Sequence, residues 1–213
     1  MTDVWSARAA SYAVSDAHRE GADLDQFVRW ADGARTALDV ATGGGHVARR
    51  LRAAGIEVVT SDPAPGMAPE VICAAESLPF ATSSFDVVTC RTAAHHFADV
   101  RAAVREMARV SRDRVLIADT VYMGDDVEQA EKLRDPSHVR NYDQSEWREI
   151  VLDAGLVLDE VRTIAHTFDL AAWLARTGCE GEDADRAIAL LGERVQGDTL
   201  TLDKIVMKAS KGR

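Results

Sequence analysis

The segment TALDVA (36–41) runs directly into Thr42-Gly43-Gly44-Gly45, and a helical pattern follows at once. This junction constrains the fold more than any other stretch. Its apolar residues do not alternate with polar ones, so the strand it predicts is covered on both faces, as in a parallel sheet. A parallel strand needs a crossover back to the same edge, and the helix predicted over 46–54, closed by Gly55, supplies one. The same alternation recurs along the chain. Strands are expected at 56–61 (IEVVTS), 71–74, 85–90 (FDVVTC), 114–119 (RVLIAD), 156–164 and 200–207. Helices are expected over 3–31 with a break near Gly21, and over 100–110, 146–154 (N-cap Ser145), 170–176 and 183–196. The stretch 63–69 holds three prolines and a glycine and reads as loop. The expected class is therefore α/β: a doubly wound, mostly parallel, seven-stranded sheet with helices on both faces. In such sheets ligands sit at the carboxyl ends of the strands, near the point where strand order reverses.

Composition narrows the function. With 25 Lys+Arg against 35 Asp+Glu in 213 residues, the formal charge is −10. No Lys/Arg-rich face for nonspecific nucleic-acid binding is expected from that balance. Three scattered cysteines form no CxxC pair, so neither a disulfide framework nor a structural zinc site is encoded, and a reducing cytoplasm fits. No apolar run is long enough to span a membrane, and the first residues lack the apolar core of a secretory signal. The expectation is one domain over 1–213, with a helical cap at 1–31 and a helical insertion at 167–198 between the last two strands.

The turn Ala41-Thr42-Gly43-Gly44-Gly45-His46 is richer in glycine than a bare strand-to-helix turn requires. Glycine tolerates positive φ and lets a ligand approach the backbone. The helix N-terminus behind it offers N–H groups to an anionic group. Asp62 ends the next strand, nineteen residues beyond Gly43. An acid at that spacing suits a ribose diol, although an aspartate before Pro63 can equally be a turn residue. Together they point to a nucleoside-containing cofactor. The dinucleotide fingerprint GxGxxG is not met, since Ala41 and His46 stand at its first and last glycine positions. That disfavours an NAD-dependent oxidoreductase, the first rival reading.

By these residues the chain resembles the class I S-adenosylmethionine-dependent methyltransferases, type 11 (small-molecule) branch. LDVATGGGHVA resembles their first motif and SDPAPGM the acid after the second strand. AAESLPF, SSFDVVTCRTAAHHFAD and VREMARV resemble the segments around the third and fourth strands. ASYAVSDAHREGADL and LRDPSHVRNYDQSEW resemble flanking segments of a sub-branch. The resemblance implies a Rossmann-like fold, S-adenosylmethionine as cofactor and a small-molecule methyl acceptor. It further implies that Asp39 orders the glycine turn and that Gly43 and Gly45, with Ala41 and Thr42, admit the methionyl part. Asp62 would hold the ribose, Pro63 and Met67 cover the adenine, and Ala75 and Glu76 flank its edge. Arg91 would sit by the methionyl amine through its backbone, with Tyr12, Ser15 and His18 closing over the cofactor. Two departures stand out: the stretch between Asp62 and Ala75 is short and proline-rich, with Ala74 where an Asp is common, and SRDR (111–114) replaces a Pro-Gly-Gly turn. They leave a second rival, a relative that binds the cofactor without transferring methyl groups.

Methyl transfer depends chiefly on orientation, and a base helps when the nucleophile is a hydroxyl or an amide-like nitrogen. His95 and His96 follow the fourth strand and are the candidate bases, with His95 the weakly preferred one. The alternative is that one caps a helix and packs on Phe97. Asp135, His138 and Arg140, with Tyr142 as a wall, could position a polar acceptor, although an Asp-Pro turn with a surface ion pair explains them nearly as well. No metal-ligand pattern is present. Oligomeric state is left open.

Overall fold

The run before the glycines forms β1 (Thr36–Val40), buried from Ala37 onward. The computed structural model describes residues 4–14 and 19–212. Helices α1 (Val4–Val14) and α2 (Ala22–Trp30) come first. After β1 come α3 (His46–Ala53), β2 (Glu57–Asp62), β3 (Val71–Ile72), β4 (Phe85–Arg91), α4 (Val100–Val110) and β5 (Ser111–Thr120). The second half contains α5 (Asp125–Arg134), α6 (Gln144–Asp153), β6 (Leu156–Asp169), α7 (Leu170–Ala175), α8 (Glu182–Leu191), β7 (Val195–Gln196) and β8 (Thr199–Lys211).

The strands lie in the order β3-β2-β1-β4-β5-β8-β6, with β7 paired to β8. Pairings among β3, β2, β1, β4 and β5 are parallel, whereas β8 runs antiparallel to both β5 and β6. Winding reverses between β1 and β4, so their carboxyl ends open a crevice there. Alternate residues of each strand enter different cores. Leu38, Val88 and Ile117 join Met107 of α4 and Trp147 of α6 on one face. Ala37, Val87 and Leu116 join Phe27 of α2 and Leu51 of α3 on the other. Both faces are covered, which is why these strands read as continuous apolar runs. A third cluster, around Trp173, Leu191 and Leu202, packs α5, α7 and α8 on the far part of the β6–β8 ribbon.

The mostly parallel, doubly wound architecture with helices on both faces is as expected, and β7 adds an eighth, two-residue strand. Several boundaries are corrected. The stretch 63–69 is a loop as expected, with a 3-10 turn at Pro65–Met67, whereas β3 shrinks to two residues. The helix expected over 183–196 ends at Leu191, where Gly192 takes φ 54°, and Val195–Gln196 folds back on β8. Asp143, not Ser145, caps α6. Its Oδ1 accepts from the Glu146 N–H at 2.8 Å while Glu146 Oε2 accepts from the Asp143 N–H at 3.0 Å, a capping box. The Ser145 hydroxyl donates to Asp143 instead. Helix α5 was not expected, because its charge-rich sequence carries few apolar positions, of which Val127 and Ala130 are buried.

Candidate active site

The glycine turn is built around two carboxylates. The hydroxyls of Thr42 and Thr89 donate to opposite oxygens of Asp39, at 2.6 and 2.9 Å. Burial raises the Asp39 pKa to about 6, against the lowering effect of those hydrogen bonds. The Asp62 carboxylate accepts from the N–H of Gly43 at 3.0 Å and of Ala64 at 2.9 Å. It therefore ties the end of β2 to the turn after β1. A carboxylate has about four acceptor sites, and that of Asp62 also lines the cavity that opens beside it. Gly43 and Gly45 adopt φ of 50° and 71°, and a Cβ on Gly43 would meet nothing within 4 Å. The turn thus faces open space with its backbone bare.

A cavity of about 480 Å³ lies over the carboxyl ends of β1, β2 and β4. Asp39, Ala41, Thr42 and Gly43 line it from the turn, Asp62, Pro63 and Met67 from beyond β2, and Ala75 and Glu76 from beyond β3. Arg91 lines it at the end of β4. Gly45 does not line this cavity; it lines a neighbouring hollow against Ala9 and Ala10 of α1. Ser15 and His18 lie outside the described residues, as does the side chain of Tyr12. Sequence reasoning did not single out Trp5, Val47 or Phe97, all of which line the cavity. Trp5 arrives through α1, whose Ser6 hydroxyl accepts from the Gly66 N–H at 2.7 Å. Nothing in the local sequence announces that contact.

Two cavity residues hold positive φ without being glycine: Ala41 at 52° and Thr92 at 54°. For a β-branched residue this is a sparsely populated conformation, and such strain collects at functional sites. Thr92 is held there by its N–H on the Ala118 carbonyl and by Lys204, whose Nζ donates to its hydroxyl at 3.0 Å. Lys204 also reaches Asp23, which pairs in bidentate fashion with Arg91 at 2.7 and 3.1 Å. Asp23, Arg91 and Lys204 are all buried. Burial pushes the Lys204 pKa down to about 8, with the Arg91 charge adding to it and Asp23 opposing.

The two histidines after β4 part company. His96 lines the cavity; His95 does not. The His95 Nδ1 meets Asp119 at 2.5 Å and its backbone N–H donates to the same carboxylate at 3.0 Å. Burial disfavours its charge, but Asp119 and, more weakly, Glu131 together outweigh burial and raise the His95 pKa. Burial, then the His95 charge, pushes the His96 pKa well down. None of Asp135, His138, Arg140 and Tyr142 lines the cavity. Asp135 is buried and accepts from Arg8 and Ser137. His138 is buried against Glu128 at 3.0 Å. Arg140 pairs with Glu146 at 2.6 Å and lies 4.6 Å from the Tyr142 ring centre. Among the described residues, no group of three or more His, Cys, Asp or Glu could hold a metal ion.

This arrangement has known counterparts. A profile of the family described as a methyltransferase domain matches residues 38–118. The YcgJ protein of Bacillus subtilis, described as an uncharacterised methyltransferase, is 32% identical, with 88% of this chain and 83% of that protein covered. Its crystal structure superposes with a TM-score of 0.79 over 90% of this chain and 98% of that chain, at 28% identity. A candidate methyltransferase of Bacillus halodurans gives 0.80 at 29% identity, covering 91% of this chain and all of that one. A more distant fold neighbour is a Burkholderia thailandensis N1-methyltransferase with bound S-adenosylhomocysteine. It has a TM-score of 0.64 and 15% identity, and the match covers 99% of this chain and 88% of that one. Shared sequence along most of the chain and a bare glycine turn facing Asp62 converge on one family: the chain belongs to the class I S-adenosylmethionine-dependent methyltransferases.

Proposed function

We propose that the cavity takes S-adenosylmethionine and presents it to a small-molecule acceptor, which is methylated on oxygen or nitrogen. One observation carries this reading: the glycine turn and Asp62 line one continuous cavity of about 480 Å³ at the winding reversal. The residues present fit that cofactor, because the space above Gly43 is open and the Asp62 carboxylate lines the cavity beside it. When bound, the cofactor supplies an electrophilic methyl group on a sulfonium.

In this reading Gly43 admits the methionyl part, Gly45 turns the backbone behind it, and Asp62 accepts hydrogen bonds from the ribose. Pro63 and Met67 cover the adenine, with Ala75 and Glu76 along its edge. The Glu76 carboxylate already accepts from the N–H groups of Ala98 and Asp99, so it also pins the loop that follows β4. Arg91 contributes its backbone, since its side chain is engaged with Asp23. Residues 1–31 serve as the cap and 167–198 as an insertion of one methyltransferase domain. An acceptor of modest size is supported by the apolar walls that Trp5, Ala93 and Phe97 set beside His96. A nucleic-acid acceptor is disfavoured by the charge of −10. No helix among the described residues is long and apolar enough to cross a membrane, and the proposal places the enzyme in the cytoplasm.

Calorimetry with S-adenosylhomocysteine and, separately, NAD tests the reading. Binding of the first and silence from the second is the expected result. Heat from NAD alone would move the chain to hydride chemistry.

A further inference from the structure

Two imidazoles line the cavity among the described residues, His46 and His96; Arg49 donates to the His46 Nδ1, whereas the surroundings of His96 put hydrogen on its Nδ1. The His96 Nδ1 lies 3.1 Å from the Ser137 carbonyl oxygen, which can only accept. It also lies 3.4 Å from the Ser137 hydroxyl, whose own hydrogen is given to Asp135 at 2.6 Å. Both contacts call for hydrogen on Nδ1, so the lone pair is left on Nε2. Asp135 holds Ser137 twice, through its backbone N–H at 3.0 Å and its hydroxyl, and is itself paired to Arg8 of α1.

The charge around this ring favours its neutral form. The His95 ring centre is 4.0 Å away, and two imidazolium ions do not settle at that distance. His95 has Asp119 behind it and takes the proton first. Asp135, with its Arg8 partner, opposes that effect from the other side. The His138 ring, backed by Glu128 and Glu131, is 6.3 Å away. Trp5 closes the remaining side, edge to face at 4.4 Å.

We propose that His96 is the general base of the methyl transfer, with Ser137 and Asp135 as positioning residues that hold its tautomer, and that the acceptor carries an acidic hydroxyl, as a phenol or an enol does. This rests on the reading of the cavity given above. An amine attacks with its own lone pair and sheds a proton afterwards, so a fixed base adds little. A hydroxyl must lose its proton as the bond forms, and a weak neutral base matches an acidic O–H. In that step His96 Nε2 takes the hydroxyl hydrogen while the oxygen bonds to the methyl carbon. The carbon–sulfur bond breaks with its electron pair left on sulfur. The products are a methyl ether, a neutral thioether and a protonated His96, which returns its proton to solvent. Asp135 thereby serves the base, in place of the direct acceptor contact that the sequence suggested.

The test uses the full chain labelled with ¹⁵N, with and without S-adenosylhomocysteine. Long-range proton–nitrogen spectra should show His96 neutral at pH 7 with hydrogen on Nδ1. An imidazolium, or hydrogen on Nε2, overturns the proposal, and this measurement needs no variant. In a second arm, 4-nitrophenol and 4-hydroxycoumarin serve as acceptors with S-adenosylmethionine. His96→Ala should slow transfer by about 100-fold or more, with S-adenosylhomocysteine affinity retained. An unchanged rate overturns the base. Turnover of benzylamine but of neither hydroxyl compound overturns the acceptor class, as does no turnover of any. Asp135→Asn should give a mixture of His96 tautomers and a lower kcat at unchanged KM; an effect on KM alone removes its positioning role. Failure of S-adenosylhomocysteine to bind would instead sink the cofactor reading and leave the tautomer result standing by itself.

Discussion

Asp62 shows how much a single side chain can carry. Its carboxylate joins two backbone segments and lines the cavity. Asp62→Ala should weaken S-adenosylhomocysteine binding by about 1–3 kcal/mol, the usual cost of losing a charged hydrogen bond. Calorimetry reads this as roughly 5- to 150-fold in Kd, and an unchanged Kd would remove Asp62 from the cofactor contacts. Asp62 was legible in the sequence because its partner, the Gly43 N–H, is fixed by the ordinary length of one strand–helix–strand unit. His95 and His96 were equally visible as a pair, but not their division of labour. Adjacent residues diverge in direction, and which one meets Asp119 depends on how β5 lies beside β4.

Elements matter here mainly at their ends. The capping box of α6 leaves Asp143→Ala with an expected loss of about 1 kcal/mol, measurable by urea denaturation. A loss no larger than that of Ser145→Ala would return the cap to Ser145. Helix α1 reaches the site through the 3-10 turn that replaces a full helix after β2. A Cβ on Gly66 would stand 2.5 Å from both the Cα and the Cβ of Ser6, so backbone must move. Gly66→Ala should therefore displace α1 and weaken S-adenosylhomocysteine binding, while the melting temperature changes little. A variant with native affinity would show that α1 does not help close the cavity. The proline-rich stretch announced the missing helix, since Pro63, Pro65 and Pro69 cannot sit inside one. It did not announce what would dock in the gap, because Ser6 meets Gly66 across 60 residues of chain.

Across the whole molecule, buried charge links the two cores. Asp23 of α2, Arg91 of β4 and Lys204 of β8 share one carboxylate. Asp23→Asn should destabilise by about 3–5 kcal/mol, as removal of one partner from a buried ion pair does, because two buried cations lose their counter-charge. Lys204→Met should be near neutral or stabilising, since Arg91 still satisfies Asp23 in bidentate fashion. Chemical denaturation separates the two outcomes, and equal losses would contradict this ordering. The His95–Asp119 pair gives the fold a pH dependence. The folded-state pKa of His95 lies above its ordinary value of 6.5. Its stabilising contribution is therefore fully present below that value and is lost as pH rises through the raised pKa. The stability gap between the wild type and His95→Gln should narrow as pH goes from neutral to mildly alkaline. A gap that widens would show His95 to be buried neutral.

The sequence by itself determined the layering, the winding and the two segments, glycine turn and Asp62, that line the cavity. These follow from local rules: which strands are apolar on both faces, where glycine frees the backbone, and how far one crossover unit reaches. The tertiary structure alone decided which side chains pair around the cavity. Arg91 finds Asp23 across 68 residues, Lys204 finds it across 181, and Ser137 finds His96 across 41. A side chain's partner at such separations is set by sheet order and helix docking, which are properties of the whole packed core rather than of any window of sequence.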